Sequence, residues 1–331
     1  MPITPTSSSS SSSQQSEPIR KRSSSPLDDS NKRVTQSAIE SLESLSSIRT
    51  KGCSKRSITE VSTVNDHKDA IDIFIAELKE CGWQGNVEKL KAMIKTGFLG
   101  FNNQTNLTRL PESIGLLGAL ESLDLSGTGL THLPDTIGNL KKLTFLSINT
   151  TEISNLPESI GNLIELKTLD LSATKLTSLP KSIGCLIKLE RLYLSGALIE
   201  SLPEEIGKLS ALKTLYLNDT KLTSLPDTIG DLVELHDLHL WSTKLTSLPI
   251  SINNLGNLRS LHLPYTQLTS LPREIQGLLE RLINLNLSGC PIIAEGDDRN
   301  LGLRELRAIF SKATINGQVY NRPIQAVFTR C

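Results

Sequence analysis

The chain is poor in the residues that most compact proteins use to fill a core. Aromatics make up 4% of its 331 residues: six Phe, four Tyr and two Trp. Large rings usually carry much of a globular interior, so here Leu and Ile must build the core, in thin layers. Excess charge is missing as well. Lys+Arg and Asp+Glu both number 35, which leaves no electrostatic footprint for nucleic acid or an anionic membrane surface. The five Cys, at 53, 81, 185, 290 and 331, are odd in number and contain no CxxC pair. That argues against a disulfide framework or a zinc site and fits a reducing compartment. No apolar run reaches the 18 residues of a membrane span. The N-terminus lacks the basic start and apolar stretch of a Sec signal peptide. Common chemical motifs are absent too: there is no GxxxxGKS/T, HExxH, GxSxG or GxGxxG. No catalytic residue, metal ligand or cofactor is assigned, and an enzyme is the least supported class.

What is present falls into regions. Of residues 1–60, 19 are Ser, with an unbroken run from Ser7 to Ser13. Such a segment cannot bury enough surface to offset its ordering entropy and is expected to be a disordered tail. Its basic clusters, Arg20-Lys21-Arg22 and Lys55-Arg56, read either as part of a solvated tail or as a weak nuclear-import signal. Residues 64–97 change character. Ile71, Phe74, Ile75 and Leu78 share one helical face. Asn65 or Asp66 could cap its start, and Gly82 follows its end. Val87, Leu90 and Ile94 mark a second helix, closed by Gly97. A repeat stack needs its first layer covered, so this pair is expected to be a helical N-terminal cap, with a separate partner-binding helix as the other reading.

From 99 to 293 the sequence repeats. Leu-Pro recurs at 110, 133, 156, 179, 202, 225, 248 and 271, always 23 residues apart. The string TKLTSLP stands unchanged at 174–180, 220–226 and 243–249. A fixed period of this length is the signature of a solenoid. Within each unit, pairs such as Leu123/Leu125 and Leu215/Leu217 alternate with polar residues as a short strand does. An eighth pair, Leu285/Leu287, is displaced by one residue, with the insertion between Ile275 and Leu285. Leu99/Phe101 is expected to give an irregular first strand. The other half of the unit opens with Pro, suited to the first turn of a helix. Asp or Glu often follows it, beside the positive end of that turn. The predicted fold is an α/β solenoid: a horseshoe with a parallel sheet on its concave side and short helical or 3₁₀ turns on its convex side. Residues 294–331 are expected to form a C-terminal cap.

After each strand comes Thr128, Thr151, Thr174, Ala197, Thr220, Thr243, Thr266 or Cys290. A buried Thr hydroxyl can bond the turning backbone. Ala197 cannot, so the ladder is expected to break there. Cys185, on the outer half, is expected to be a small apolar filler.

These units resemble the LPxxIG class of leucine-rich repeats, found in plant intracellular Ras-group-related proteins and in bacterial type III effector-like proteins. The resemblance spans residues 99–293 and concerns architecture. Thr at the usual Asn position and the Ser-rich start look more like repeat proteins delivered into host cells. The stretch 302–310 resembles the closing helix of many bacterial repeat proteins. Some effectors fuse such repeats to a ubiquitin-ligase domain; residues 294–331 are too few for one, so no ligase activity is carried over.

The concave face is the informative surface. The position between the paired strand Leu residues reads Asp124, Ser147, Asp170, Tyr193, Tyr216, His239, His262, Asn286, and two further on come Trp241 and Pro264. Four successive rings would span about 14 Å at strand spacing. Tyr, Trp and Arg dominate interface energetics. Arg191, Tyr193, Tyr216, Asp237, His239, Trp241, His262 and Tyr265 are therefore the candidate partner-binding residues; cross-strand stacking that only stabilises the sheet is the other reading. His236 and His239 lack helical ligand geometry. The expected partner is a protein, of a host cell if the chain is an effector. A resident cytosolic scaffold is the alternative. A monomer is expected, either cytoplasmic or secreted into a host cell without a Sec signal.

Overall fold

The computed structural model describes residues 64–279, 281–293 and 325–327, all within one compact unit. The Ser-rich segment, its basic clusters and the helix expected at 302–310 lie outside the described residues.

Ten short strands form one sheet in sequential order, every neighbour parallel. They are β1 Phe98–Gly100, β2 Ser122–Asp124, β3 Phe145–Ser147, β4 Thr168–Asp170, β5 Arg191–Tyr193, β6 Thr214–Tyr216, β7 Asp237–His239, β8 Ser260–His262, β9 Asn284–Asn286 and β10 Gln325–Val327. A three-residue strand is too short to persist alone. Register supplies what length cannot. Leu99, Leu123, Leu146, Leu169, Leu192, Leu215, Leu238, Leu261 and Leu285 pair in succession and are buried to within 2%. One slip would turn every Leu to solvent.

The return half of each unit is a 3₁₀ turn, from Glu112–Leu116 to Ile250–Asn254. Pro stands at the cap, one residue before the turn rather than inside it; Pro111 has φ −69 and ψ 152. Its carbonyl accepts the Ile114 N–H at 3.1 Å, and its own missing N–H leaves no donor stranded. The Gly after Ile is set by the next turn. A Cβ on Gly138, Gly161 or Gly230 would lie 2.5, 2.4 or 2.3 Å from the carbonyl oxygen of Ser159, Ser182 or Ser251. Asn253 takes this place in the seventh unit, directly before the insertion. There the following turn runs from 3₁₀ (Arg273–Ile275) into a short α-turn (Gln276–Leu279). The extra residue moves the backbone off Asn253, and Arg281 donates to the Asn253 carbonyl at 2.8 Å.

Two columns of residues join strand to turn. The Thr column is buried, and Thr128, Thr151, Thr174, Thr220 and Thr243 each donate to the carbonyl three residues back, at 2.7–2.9 Å. At Ala197 the hydroxyl column is interrupted as expected, and only the backbone N–H reaches the Leu194 carbonyl, at 3.1 Å. The last unit substitutes the Cys290 thiol, which donates to the Leu263 carbonyl at 3.0 Å. The other column is left-handed in all nine units: Asn103, Gly127, Thr150, Ala173, Gly196, Asp219, Ser242, Tyr265 and Gly289 have φ between 52° and 73°. Only three are Gly, so six units carry the steric cost of a side chain there.

Helices Val64–Glu80 and Val87–Lys95 cover the first layer, burying Phe74, Leu78, Leu90 and Ile94 in the same core as Leu99 and Phe101. Trp83 meets Phe101 edge-on at 6.5 Å. The first helix begins at Val64, so Asn65 and Asp66 lie in its first turn instead of capping it. The cap present belongs to the second helix, where Asn86 Oδ1 accepts the Lys89 N–H at 2.9 Å.

Candidate functional site

The solvent face of the sheet divides into two halves of different chemistry. In the N-terminal half the polar tips satisfy one another. Asn102 donates to Asp124 at 2.6 Å, and Asp124 accepts the Ser126 N–H at 3.0 Å and its hydroxyl. Ser126 and Ser147 share a hydrogen bond at 2.9 Å. Asn149 donates to Ser147 at 3.1 Å and to Asp170 at 2.8 Å, and Asp170 also accepts the Ser172 N–H at 3.0 Å. Buried polar groups met this way ask nothing of a ligand.

In the C-terminal half, rings replace these groups. Tyr193, Tyr216, His239 and His262 occupy one register position on β5 to β8. They stack in sequence with centroids 5.2, 4.2 and 4.4 Å apart and planes within 21°. Parallel strands in register force this: equivalent side chains rise one above another at about 4.8 Å. Stacking consumes the inner ring faces, so the ladder shows solvent its edges and polar tips. No protein hydrogen bond is formed by the Tyr193 or Tyr216 hydroxyl or by the ring nitrogens of His239 and His262 among the described residues.

The ladder is uncharged at neutral pH. Burial, reinforced by the neighbouring His262, pulls His239 down to about 4, against an opposing pull from Asp237. Burial also lowers His262, again opposed by Asp237. Tyr216 is pushed up by burial, then by Tyr193 and Asp237. Each tip is thus a neutral group that carries both a donor and an acceptor.

The remaining candidates surround this row. Arg191 and Asp237 hold the first positions of β5 and β7, with Thr214 of β6 between them in register. Arg191 is exposed and Asp237 half-buried. Trp241, 38% exposed, stands beyond β7 and stacks on no ring among the described residues. Tyr265 differs from expectation: it sits in the left-handed turn after β8, at the rim rather than on the sheet face, and is 59% exposed. Its ring lies over Gly289, where a Cβ would come within 2.5 Å of it. Sequence reasoning gave Asn218 no role, yet it is buried and its Oδ1 accepts the Trp241 N–H at 3.2 Å. An Asn one repeat before the lone Trp on this face was the available signal. His236 donates to its own Glu234 carbonyl at 2.6 Å, away from the ladder. Cys185 is no buried filler; it is exposed, because its position on the turn points outward.

No group of three or more potential metal ligands occurs among the described residues, and no helix among them is long and apolar enough to cross a membrane. A repeated scaffold that lifts a row of side chains off a parallel sheet defines the class of parallel-sheet solenoids.

Comparisons with known proteins give that class its family. Models described as a leucine-rich repeat region, leucine rich repeat and Leucine Rich Repeat match residues 137–198, 187–245 and 119–140. Together they span residues 119–245, and the fold is that of a leucine-rich-repeat solenoid. No curated protein matches it. Among solved structures, it is similar to the leucine-rich-repeat domain of the type III effector XopL (23% identity, TM-score 0.55, 71% of this chain and 90% of that one). Another is Toll in its complex with Spatzle, from Drosophila (25% identity, TM-score 0.53, 58% of this chain). A third is the ectodomain of the receptor kinase GASSHO1/SCHENGEN3 from Arabidopsis thaliana (29% identity, TM-score 0.44, 58% of this chain). The chain spans 26% of the length of each of the last two.

Proposed function

We propose that this protein binds a protein partner on the C-terminal half of its sheet face, through Arg191, Tyr193, Tyr216, Asp237, His239, Trp241, His262 and Tyr265. Leucine-rich repeats generally mediate protein–protein interaction. The supporting observation is the contrast between the halves: one is closed on itself by hydrogen bonds, and the other presents four unpartnered tips flanked by exposed Trp241 and Tyr265. Large amphipathic rings beside unpaired polar groups are the composition of interface hot spots. The helical pair covers the β1 edge, β10 forms the other edge of the described sheet, and a monomer is taken as the working state.

Affinity capture tests this. The intact chain is compared with a variant carrying Tyr193→Ala, Tyr216→Ala, His239→Ala and Trp241→Ala, both checked for folding by circular dichroism. A partner retained by the intact chain and lost by the variant supports the reading. Equal capture by both removes the ladder from the interface.

The finer reading is an effector acting on a host protein, supported by the Ser-rich start and by Thr at the usual Asn position of the repeat. A translocation assay tests it: loss of transfer on deleting residues 1–60 supports the effector, and transfer without them argues against it.

A further inference from the structure

We propose that the ligand of this face is an extended peptide segment crossing β5 to β7, with one side chain of negative charge on Arg191 and one of positive charge, three residues away, on Asp237. This rests on the docking reading above and adds what the partner must carry.

The charges of this region are few, and most are already used. Lys213 pairs with Glu190 at 2.9 Å. The Arg259 guanidinium donates to the Gly256 and Leu258 carbonyls at 3.2 and 3.0 Å. Asp170 is held by Asn149 and by the Ser172 N–H. Arg191 and Asp237 make no ion pair among the described residues. They do not pair with each other; they sit two strands apart with Thr214 between them, a backbone separation of about 9.6 Å. The face thus holds one positive and one negative point at a distance fixed by the sheet.

A polyproline-II chain, extended and with three residues per turn, advances about 3.1 Å per residue, so side chains three residues apart lie on one side about 9 Å apart and bridge the two points. Between them lie the tips of Tyr193, Tyr216 and His239, each neutral and able to donate or accept. Peptide N–H and C=O groups are the matching chemistry; a second ion is not. Both faces of Tyr216 and His239 are spent on stacking, so the middle of the ladder offers no slot for a partner's own ring. Trp241, at the Asp237 end, is free to cover the stem of the basic side chain. Charge complementarity of this kind selects partners more than it adds affinity.

The test is fluorescence anisotropy with the full chain and short labelled peptides of matched composition. Peptides with opposite charges three residues apart should bind about tenfold tighter than peptides with like charges there, or with the same two charges adjacent. R191E makes both points acidic and should shift preference to basic–x–x–basic. D237K makes both basic and should shift it to acidic–x–x–acidic. Failure of every peptide to bind, or preferences that neither substitution alters, overturns the proposal. The ladder variant keeps the two readings apart. A captured partner that needs the ladder but ignores R191E and D237K sinks this inference alone; a partner indifferent to the ladder sinks the docking reading beneath it.

Discussion

Lowering the pH from 7.5 to 5.5 acts on this fold through two rings. His239 and His262 stack at 4.4 Å, and burial holds His239 at about 4 in the folded chain, against an ordinary value near 6.5. The unfolded chain therefore takes up a proton as the pH falls through 6.5, and the folded chain does not follow until about 4. Stability present above pH 6.5 is lost across that window. The linkage slope is about 1.4 kcal/mol per pH unit for one fully shielded group. One unit below the unfolded value, His239 alone would cost about that much; a half-exposed ring is screened, and about half survives. His262 is shifted in the same direction, so the pair together should cost about 1 kcal/mol. Most carboxylates are still ionised at pH 5.5, which keeps them out of the measurement. Urea unfolding at both pH values, on the intact chain and on the double variant His239→Asn, His262→Asn, isolates the term. The intact chain should lose about 1 kcal/mol more than the variant. Because solenoid stability is carried by neighbouring layers, amide exchange in β7 and β8 should quicken first. Equal losses in the two proteins would refute the reasoning.

Three further outcomes follow from the packing. Gly230→Ala drives a Cβ to 2.3 Å from the Ser251 carbonyl, whereas Gly256→Ala meets nothing within 4 Å; the first should cost about 2 kcal/mol and the second should lie within about 0.5 kcal/mol of the intact chain, by urea midpoints. Thr150→Asn places a residue that tolerates left-handed backbone at φ 56 and should raise stability by about 1 kcal/mol; an unchanged thermal midpoint would argue against strain in that column. Ala197→Thr restores a hydroxyl at a site whose carbonyl already has a partner, so its effect on the urea midpoint should stay within about 1 kcal/mol, and a larger loss would show the pocket to be closed to the extra atoms.

The sheet was readable because a strand's side-chain parity is fixed. Once Leu192 and Leu215 are inside, Arg191, Tyr193, Thr214 and Tyr216 have to be outside, and a 23-residue period stacks them in register. The ring ladder was legible for the same reason. What those rings bond to was not, since Asn149 reaching Asp170 at 2.8 Å is a matter of ångströms and not of pattern. The left-handed column escaped because it holds Thr, Ala, Asp, Ser and Tyr beside Gly; composition there is set by tertiary pressure and not by backbone preference. Tyr265 was misplaced as a result, since a residue in that conformation leaves the sheet plane. Cys185 was judged by its side chain alone, whereas the outward-facing position on the turn decided its exposure.

Asn253 gives the array a direction. Upstream of it, units meet through Gly and a close carbonyl, so any of them presents the same joint to its neighbour and a unit could be removed or duplicated without a new fit. Asn253 is followed by a unit with the extra residue, and that unit leads to β9 and β10. The solenoid is therefore free to change length upstream of Asn253 and keyed beyond it: units can be gained or lost before that joint, β5 to β7 of the ladder included, while the order of the layers after it is set.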